Sequence, residues 1–388
     1  MGLAELQAIR DQTFKVVPQK EANVKKASVV FAAFADWTAY ARALPEGQQR
    51  SALMFGTVDE KARMVKVEAL FEVPSSQKPP PPSALAAPSG SATAFGGAAL
   101  IDGLPDPAFY AEASKDIATA GSAALAEPCD PATKSSALPP AAGRTSAVGD
   151  VERACHIASL LGLRPVGWCV VHDKRKHFLS AAEVVTAAQL QAWAMRSFGR
   201  AAGALQVTAT VPVDRAADTA ATEVYTVSNQ TVQMMHERVV EVHQPSPAGD
   251  RLLMTEPVSD DGKEVTEVDT LGLVNAVAVI QHKGFLRTAF PRRKTAGAGA
   301  NDDDGNEAAA AAELLALRKC LFAKRDDSTS AFLRRLADFR LLLYVSQQVG
   351  LSDDFARLCR CVRSGDAADP VVGKYKLVLE TLCAGDGG

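Results

Sequence analysis

The sequence predicts a mixed α/β core carrying a long low-complexity insertion and followed by a small helical C-terminal domain. Three observations carry that expectation. Strand and helix periodicities alternate up to about residue 294. Composition collapses over residues 74–149, which hold 12 of the 21 prolines amid Ala, Ser and Gly. Beyond residue 307 every apolar repeat is helical. The expected division is an N-terminal extension at 1–23, a core at 24–294 with a disordered insertion at 74–149, a flexible hinge at 295–307, and helices at 308–388.

Each element has a local reason. Val30, Phe34, Trp37, Ala41 and Leu44 repeat at helical spacing until Pro45 and Gly47. Ser51 to Phe55 and Met64 to Val73 read as a hairpin closed by polar residues 57–63. The insertion is too poor in large apolar side chains to offset its ordering entropy, although 106–119 could form a transient helix around Phe109 and Tyr110. A Gly/Ser linker replacing residues 76–147 is expected to cost at most about 1–2 kcal/mol, since loop-closure entropy grows slowly. Order resumes with Asp150 as N-cap, a face of Val151, Ala154, Cys155, Ala158 and Leu161, and Gly162 at C′. A strand at Pro165 to Val171 precedes a helix opened by the capping box Ser180-Ala181-Ala182-Glu183. Further expectations are strands at Leu205–Val213 and Glu223–Val227, a helix at Asn229–Arg238, a hairpin around Asp260-Asp261-Gly262, and a buried strand at Val274–Gln281. The last part predicts helices at Ala308–Ala323, Ser330–Val349, Ser352–Arg363 and Val371–Cys383, the last capped by Asp369 with Pro370 in its first turn.

The bulk numbers narrow the function classes. A net charge of −3 gives no reason to expect nucleic acid or an anionic membrane as partner. No apolar run approaches the roughly 20 residues of a membrane span, and Met1 to Gln12 lacks a signal-peptide h-region. Seven cysteines at irregular spacings fit reduced thiols, hence cytoplasm or nucleus.

Pro165-Val166-Gly167-Trp168-Cys169-Val170-Val171-His172-Asp173, followed by Leu179-Ser180-Ala181-Ala182-Glu183, resembles the zinc motif of a metallo-deubiquitinase. The intact motif runs Val-Gly-Trp-Tyr-His-Ser-His-Pro and then Ser-x-x-Asp, with a glutamate upstream. Two histidines and the aspartate hold zinc, and the glutamate takes a proton from zinc-bound water. Here Val170 replaces the first histidine, His172 keeps the second, Glu183 replaces the aspartate on a spacer one residue short, and Gln49 takes the glutamate's place. One imidazole and a displaced carboxylate do not close a tetrahedral site, and a glutamine accepts no proton, so the expectation is no catalysis, no metal and no cofactor. The capping box accounts for Ser180 and Glu183 without zinc, and His172 reads as part of a solvated turn with Lys174, Arg175, Lys176 and His177.

The order helix, hairpin, helix, Val-Gly-Trp strand and capped helix resembles the MPN domain shared by these isopeptidases and their inactive relatives. Four blocks narrow the resemblance to the nuclear protein localisation protein 4 family: Gln49–Gly56; Leu161–Trp168 with His177–Ser180; Val227-Ser228-Asn229-Gln230; and Leu336-Ala337-Asp338-Phe339-Arg340-Leu341-Leu342-Leu343. The resemblance runs from about residue 24 to the end, outside the insertion. It implies a non-catalytic adaptor that binds polyubiquitin, pairs with the ubiquitin-fusion-degradation partner protein and serves a hexameric AAA+ unfoldase in ubiquitin-dependent catabolism, including ER-associated degradation. Family members carry a ubiquitin-like domain and two small zinc modules ahead of this region, and neither is expected within this chain. The alternatives are an architectural MPN subunit of a proteasome-lid-like assembly and an active zinc deubiquitinase.

Ubiquitin contact is expected from residues 308–388, with Phe332, Arg334, Arg335 and Phe339 as the candidate surface, because the apolar repeat there exceeds one helix face. Cys359-x-Cys361 and the Cys155-His156 pair read as ordinary helix residues, since close neighbours on a helix point apart. Gly297-Ala298-Gly299 lacks the Lys-Ser/Thr of a phosphate loop. Arg287, Arg292, Arg293 and Lys294, beside Asp302 to Asp304, read as a solvated, charge-segregated loop.

Overall fold

The computed structural model describes residues 14–74, 97–110, 147–240, 249–292, 304–322 and 328–384. Strand β1 (Lys15–Val16) and strand β2 (Lys26–Val30) precede helix α1 (Phe31–Ala43). The hairpin follows as β3 (Arg50–Asp59) and β4 (Met64–Glu72), then α2 (Gly97–Asp102), α3 (Ala147–Leu160), β5 (Arg164–Asp173) and α4 (Ala181–Phe198). Next come β6 (Val207–Asp214), β7 (Thr219–Ala220), β8 (Glu223–Val227), α5 (Asn229–His236), β9 (Arg251–Asp260), β10 (Lys263–Asp269), β11 (Val274–Ala276) and β12 (Ala278–His282). The chain closes with α6 (Asp304–Phe322), α7 (Thr329–Leu336), α8 (Phe339–Val349), α9 (Asp353–Ser364) and α10 (Pro370–Ala384). The fold is mixed α/β.

A large mixed sheet runs β11-β8-β6-β5-β3-β4-β2-β12, with β7 beside β6. Its two edge strands are consecutive in the chain and separated only by Val277, whose N–H donates to the Val224 carbonyl of β8 at 2.8 Å. The sheet therefore curls until its edges approach one another. Successive Cβ atoms along a strand point to opposite faces, which divides the side chains into two sets. One face carries Ala52, Met54, Val67, Cys169, Val171 and Ala209 and packs on Phe34, Trp37 and Ala41 of α1. The opposite face carries Leu53, Phe55, Ala69, Trp168 and Val170 and packs on α3, α4 and the C-terminal helices. Gly167 is required where β5 crosses between its neighbours: its φ is +152°, and a Cβ there would lie 1.9 Å from the Val207 carbonyl oxygen. A second sheet, β1-β9-β10, covers α4 and α5 through Val16, Leu252, Val258 and Val268.

Several expectations are corrected. The 1–23 extension is part of the fold from residue 14, because the Val-Ser-Asn-Gln block holds it. Ser228 caps α5, the Asn229 N–H donates to Gln19 Oε1 at 2.8 Å, and Gln230 Oε1 accepts from the Val17 N–H at 2.8 Å. Within the insertion, residues 97–110 are packed, with Leu100 and Tyr110 buried and Pro105 accepting a hydrogen bond from the Trp193 indole at 3.0 Å. Residues 75–96 and 111–146 lie outside the described residues. Helix α3 starts at Ala147, which puts Asp150 in its first turn rather than at its cap. Val274–Gln281 is two strands on opposite sheet edges, and β12 is largely exposed.

The C-terminal helices do not stand apart from the core. The 330–349 repeat is broken into α7 and α8 by Asp338, whose extended backbone (φ −137°, ψ 125°) caps α8. Its buried carboxylate accepts N–H groups from Arg340 (3.0 Å) and Leu341 (3.3 Å), and also from Ala289 (2.6 Å) and Phe290 (2.9 Å) of the preceding segment. Burial pushes this carboxyl up, against the pull of those donors and of Arg340. Arg292 is likewise not solvated. It lies over the Trp37 and Tyr40 rings at 4.5 Å and pairs with Asp36 at 2.6 Å, and Arg340 reaches the same carboxylate at 2.5 Å. Burial opposes ionisation of Asp36, but Arg340 and Arg292 together leave its carboxyl below the ordinary value. Arg287 donates its N–H to the Ala337 carbonyl at 2.6 Å. Arg293, Lys294 and most of the 295–307 hinge lie outside the described residues.

Candidate functional site

The residues of the metal-motif resemblance converge on the end of β5 and the start of α4. Trp168, Val170 and His172 alternate to one face of β5. Arg50, the first residue of β3, pairs with Val171, so Gln49 precedes the strand at the level of His172. Ser180 caps α4 in a complete capping box: its Oγ accepts from the Glu183 N–H at 3.3 Å, and Glu183 Oε2 accepts from the Ser180 N–H at 2.8 Å.

The geometry does not suit a metal. Val170 is fully buried among apolar side chains and offers no lone pair. Glu183 is fully buried, and its Oε2 is paired with the Arg175 guanidinium. Two donor residue types of the intact motif, an imidazole and a proton-accepting carboxylate, are missing at 170 and 49. Among the described residues no group of three His, Cys, Asp or Glu side chains is placed to hold a metal ion.

His172 is corrected from a solvated turn to a buried position, 3% exposed. Its Nδ1 lies 2.8 Å from the Asp173 carbonyl, and Nε2 has no hydrogen-bond partner among the described residues. Burial and then Arg175 hold its pKa below the ordinary histidine value, against the opposing charge of Glu183. Asp173, which stands at the motif's proline, serves the fold: it accepts from the Gly47 N–H at 2.6 Å and pairs with Arg215 at 2.7 Å. Arg175 is a member of this centre that the sequence does not announce. Its position eight residues before Glu183 carries no periodic signal, and only the turn between β5 and α4 brings the two together.

The candidate ubiquitin surface is also corrected. Phe332 is fully buried and stacks on Phe322, and Phe339 is 3% exposed and packs on Phe55. Neither ring can meet a partner. Arg334 is exposed, and Arg335 is half-buried. Among the described residues, the exposed large apolar side chains of the helical region are Leu315 on α6 and Leu377 and Val378 on α10. Cys155, Cys359 and Cys361 are buried; burial pushes the Cys155 thiol up to about 12 and the Cys361 thiol up to about 11, so neither is an activated nucleophile.

No protein-family model matches the chain. It is 29% identical over 238 residues to NPL4-like protein 2 of Arabidopsis thaliana, covering 60% of this chain and 52% of that protein. It is also 29% identical over 243 residues to NPL4-like protein 1 of the same plant, with the same coverage of each chain. The chain thus spans about half the length of the curated relatives it matches. With the four sequence blocks seated on β3, β5, α5 and α8, these similarities support membership of the NPL4 family.

Proposed function

We propose that the chain is a non-catalytic adaptor with an MPN-type core, which binds polyubiquitin and delivers ubiquitylated clients to an AAA+ unfoldase together with the ubiquitin-fusion-degradation partner protein, in cytoplasm and nucleus. The observation that carries the non-catalytic part is Glu183, buried and paired with Arg175 where the isopeptidase motif needs a metal-binding carboxylate. Similarity to the two NPL4-like proteins supports the adaptor part. Among the described residues no helix is long and apolar enough to cross a membrane.

Since Phe332 and Phe339 are buried, ubiquitin's shallow aliphatic patch is better matched by Leu377, 66% exposed, and Leu315, 67% exposed, on the adjacent helices α10 and α6. Binding measured against mono-, di- and tetra-ubiquitin should strengthen with chain length through effective concentration, with no cleavage of the chains. Leu377→Asp should weaken it without lowering thermal stability. Co-purification should recover the unfoldase. Chelator-sensitive chain cleavage with about one zinc per chain would overturn the reading, and recovery of lid subunits instead of the unfoldase would favour the architectural alternative.

A further inference from the structure

Arg175 lies at the degenerate centre itself. Its side chain is only 17% exposed, and its guanidinium Nη2 meets Glu183 Oε2. The same Nη2 donates to the Phe178 carbonyl at 3.4 Å and Nε donates to the His177 carbonyl at 3.3 Å, which fixes the orientation of the group. Glu183 is fully buried, and its Oε1 has no hydrogen-bond partner among the described residues. The inward His172 Nε2 is in the same condition, and Arg175 is within electrostatic reach of that ring. A buried carboxylate needs a compensating positive charge, and the capping N–H of Ser180 is a neutral donor. Guanidinium is suited to this place: it is permanently charged, planar, and able to serve a carboxylate and two carbonyls at once, which a lysine ammonium does less well.

We propose that Arg175 is an intramolecular substitute for a metal ion, its guanidinium supplying at the β5–α4 junction the fixed positive charge that balances Glu183 inside the fold. The disagreement between the motif and its donor set then has a cause: the cation has moved from solution into the chain. This goes beyond the adaptor reading and does not depend on it.

Thermal unfolding of the full chain tests the proposal, with cobalt(II) added as a spectroscopic metal probe. Arg175→Gln should lower Tm by roughly 5–10 °C, as breaking a buried pair does. Adding Glu183→Gln should recover at least half of that loss, because no charge is then left unbalanced. Arg175→Lys, which keeps the charge, should lie between wild type and Arg175→Gln. Wild type should show neither a Tm rise nor a visible cobalt absorption that depends on His172. If Arg175→Gln does not fold, folding of the Arg175→Gln/Glu183→Gln protein is the same result in stronger form. An Arg175→Gln variant as stable as wild type, a loss that Glu183→Gln does not reduce, or His172-dependent cobalt binding by wild type would each overturn it.

Discussion

Phe339 rests its ring on Phe55, centroids 5.2 Å apart and planes inclined by 39°. Phe55 belongs to the central strand β3 and Phe339 opens α8, so the contact joins the sheet to the C-terminal helices within one apolar core. Around it, Asp338 ties α8 to residues 289–290, and Arg292 and Arg340 share Asp36 of α1.

Phe339→Ala should destabilise the protein by about 3–5 kcal/mol, as large-to-small core changes do. Unfolding should remain a single transition rather than separate into two. Truncation after residue 306 should expose Leu53, Phe55 and the buried face of α3 and abolish cooperative unfolding, which circular dichroism melts and dye binding to exposed apolar surface would report. A truncated chain that melts cooperatively would show that the sheet does not need these helices.

Leu100→Ala should cost about 2–5 kcal/mol, because that side chain is fully buried against the core. Replacing residues 76–147 by a linker should cost at least as much, since it removes Leu100, Tyr110 and the Pro105 acceptor of Trp193 together. Denaturant titration of both variants checks this. A linker variant within about 1–2 kcal/mol of wild type would restore the view that loop length alone matters.

Gln49→Glu, Val170→His and Glu183→Asp combined should give no chain cleavage. An imidazole at 170 enters an apolar core, and a shortened carboxylate at 183 leaves both the Ser180 N–H and Arg175. The expected readouts are uncleaved tetra-ubiquitin and a lower Tm.

Stability should fall as pH drops below about 6.5. His156, His172, His177 and His282 are all held below 6.5, in each case first by burial. The unfolded chain takes up these protons near 6.5 while the folded chain does not, so this stability is present above 6.5 and lost as pH falls through the window beneath it. Each fully buried histidine adds a slope of up to about 1.4 kcal/mol per pH unit, and the part-exposed ones less. Denaturation midpoints from pH 7.5 to 5.5 should show the fall, and His172→Gln should make it shallower.

Local chemistry was legible in the sequence where it is self-contained. The Ser180–Glu183 capping box, the Asp369 cap and the β3–β4 hairpin each depend on residues within a few positions of one another, and the structure has all three. The absence of an imidazole at 170 and of a carboxylate at 49 is a matter of residue type and holds in any fold. Tertiary structure alone decided the rest. Burial of Phe332 and Phe339 depends on what the helix packs against, and an apolar stripe looks the same whether it faces a core or a partner. Asp338 broke a continuous helical repeat because distant N–H groups at 289 and 290 stabilise its extended backbone. Arg175 and Arg292 read as solvated charges until the fold set Glu183, Asp36 and two aromatic rings beside them, since a charge is placed by its partner and not by its neighbours in sequence.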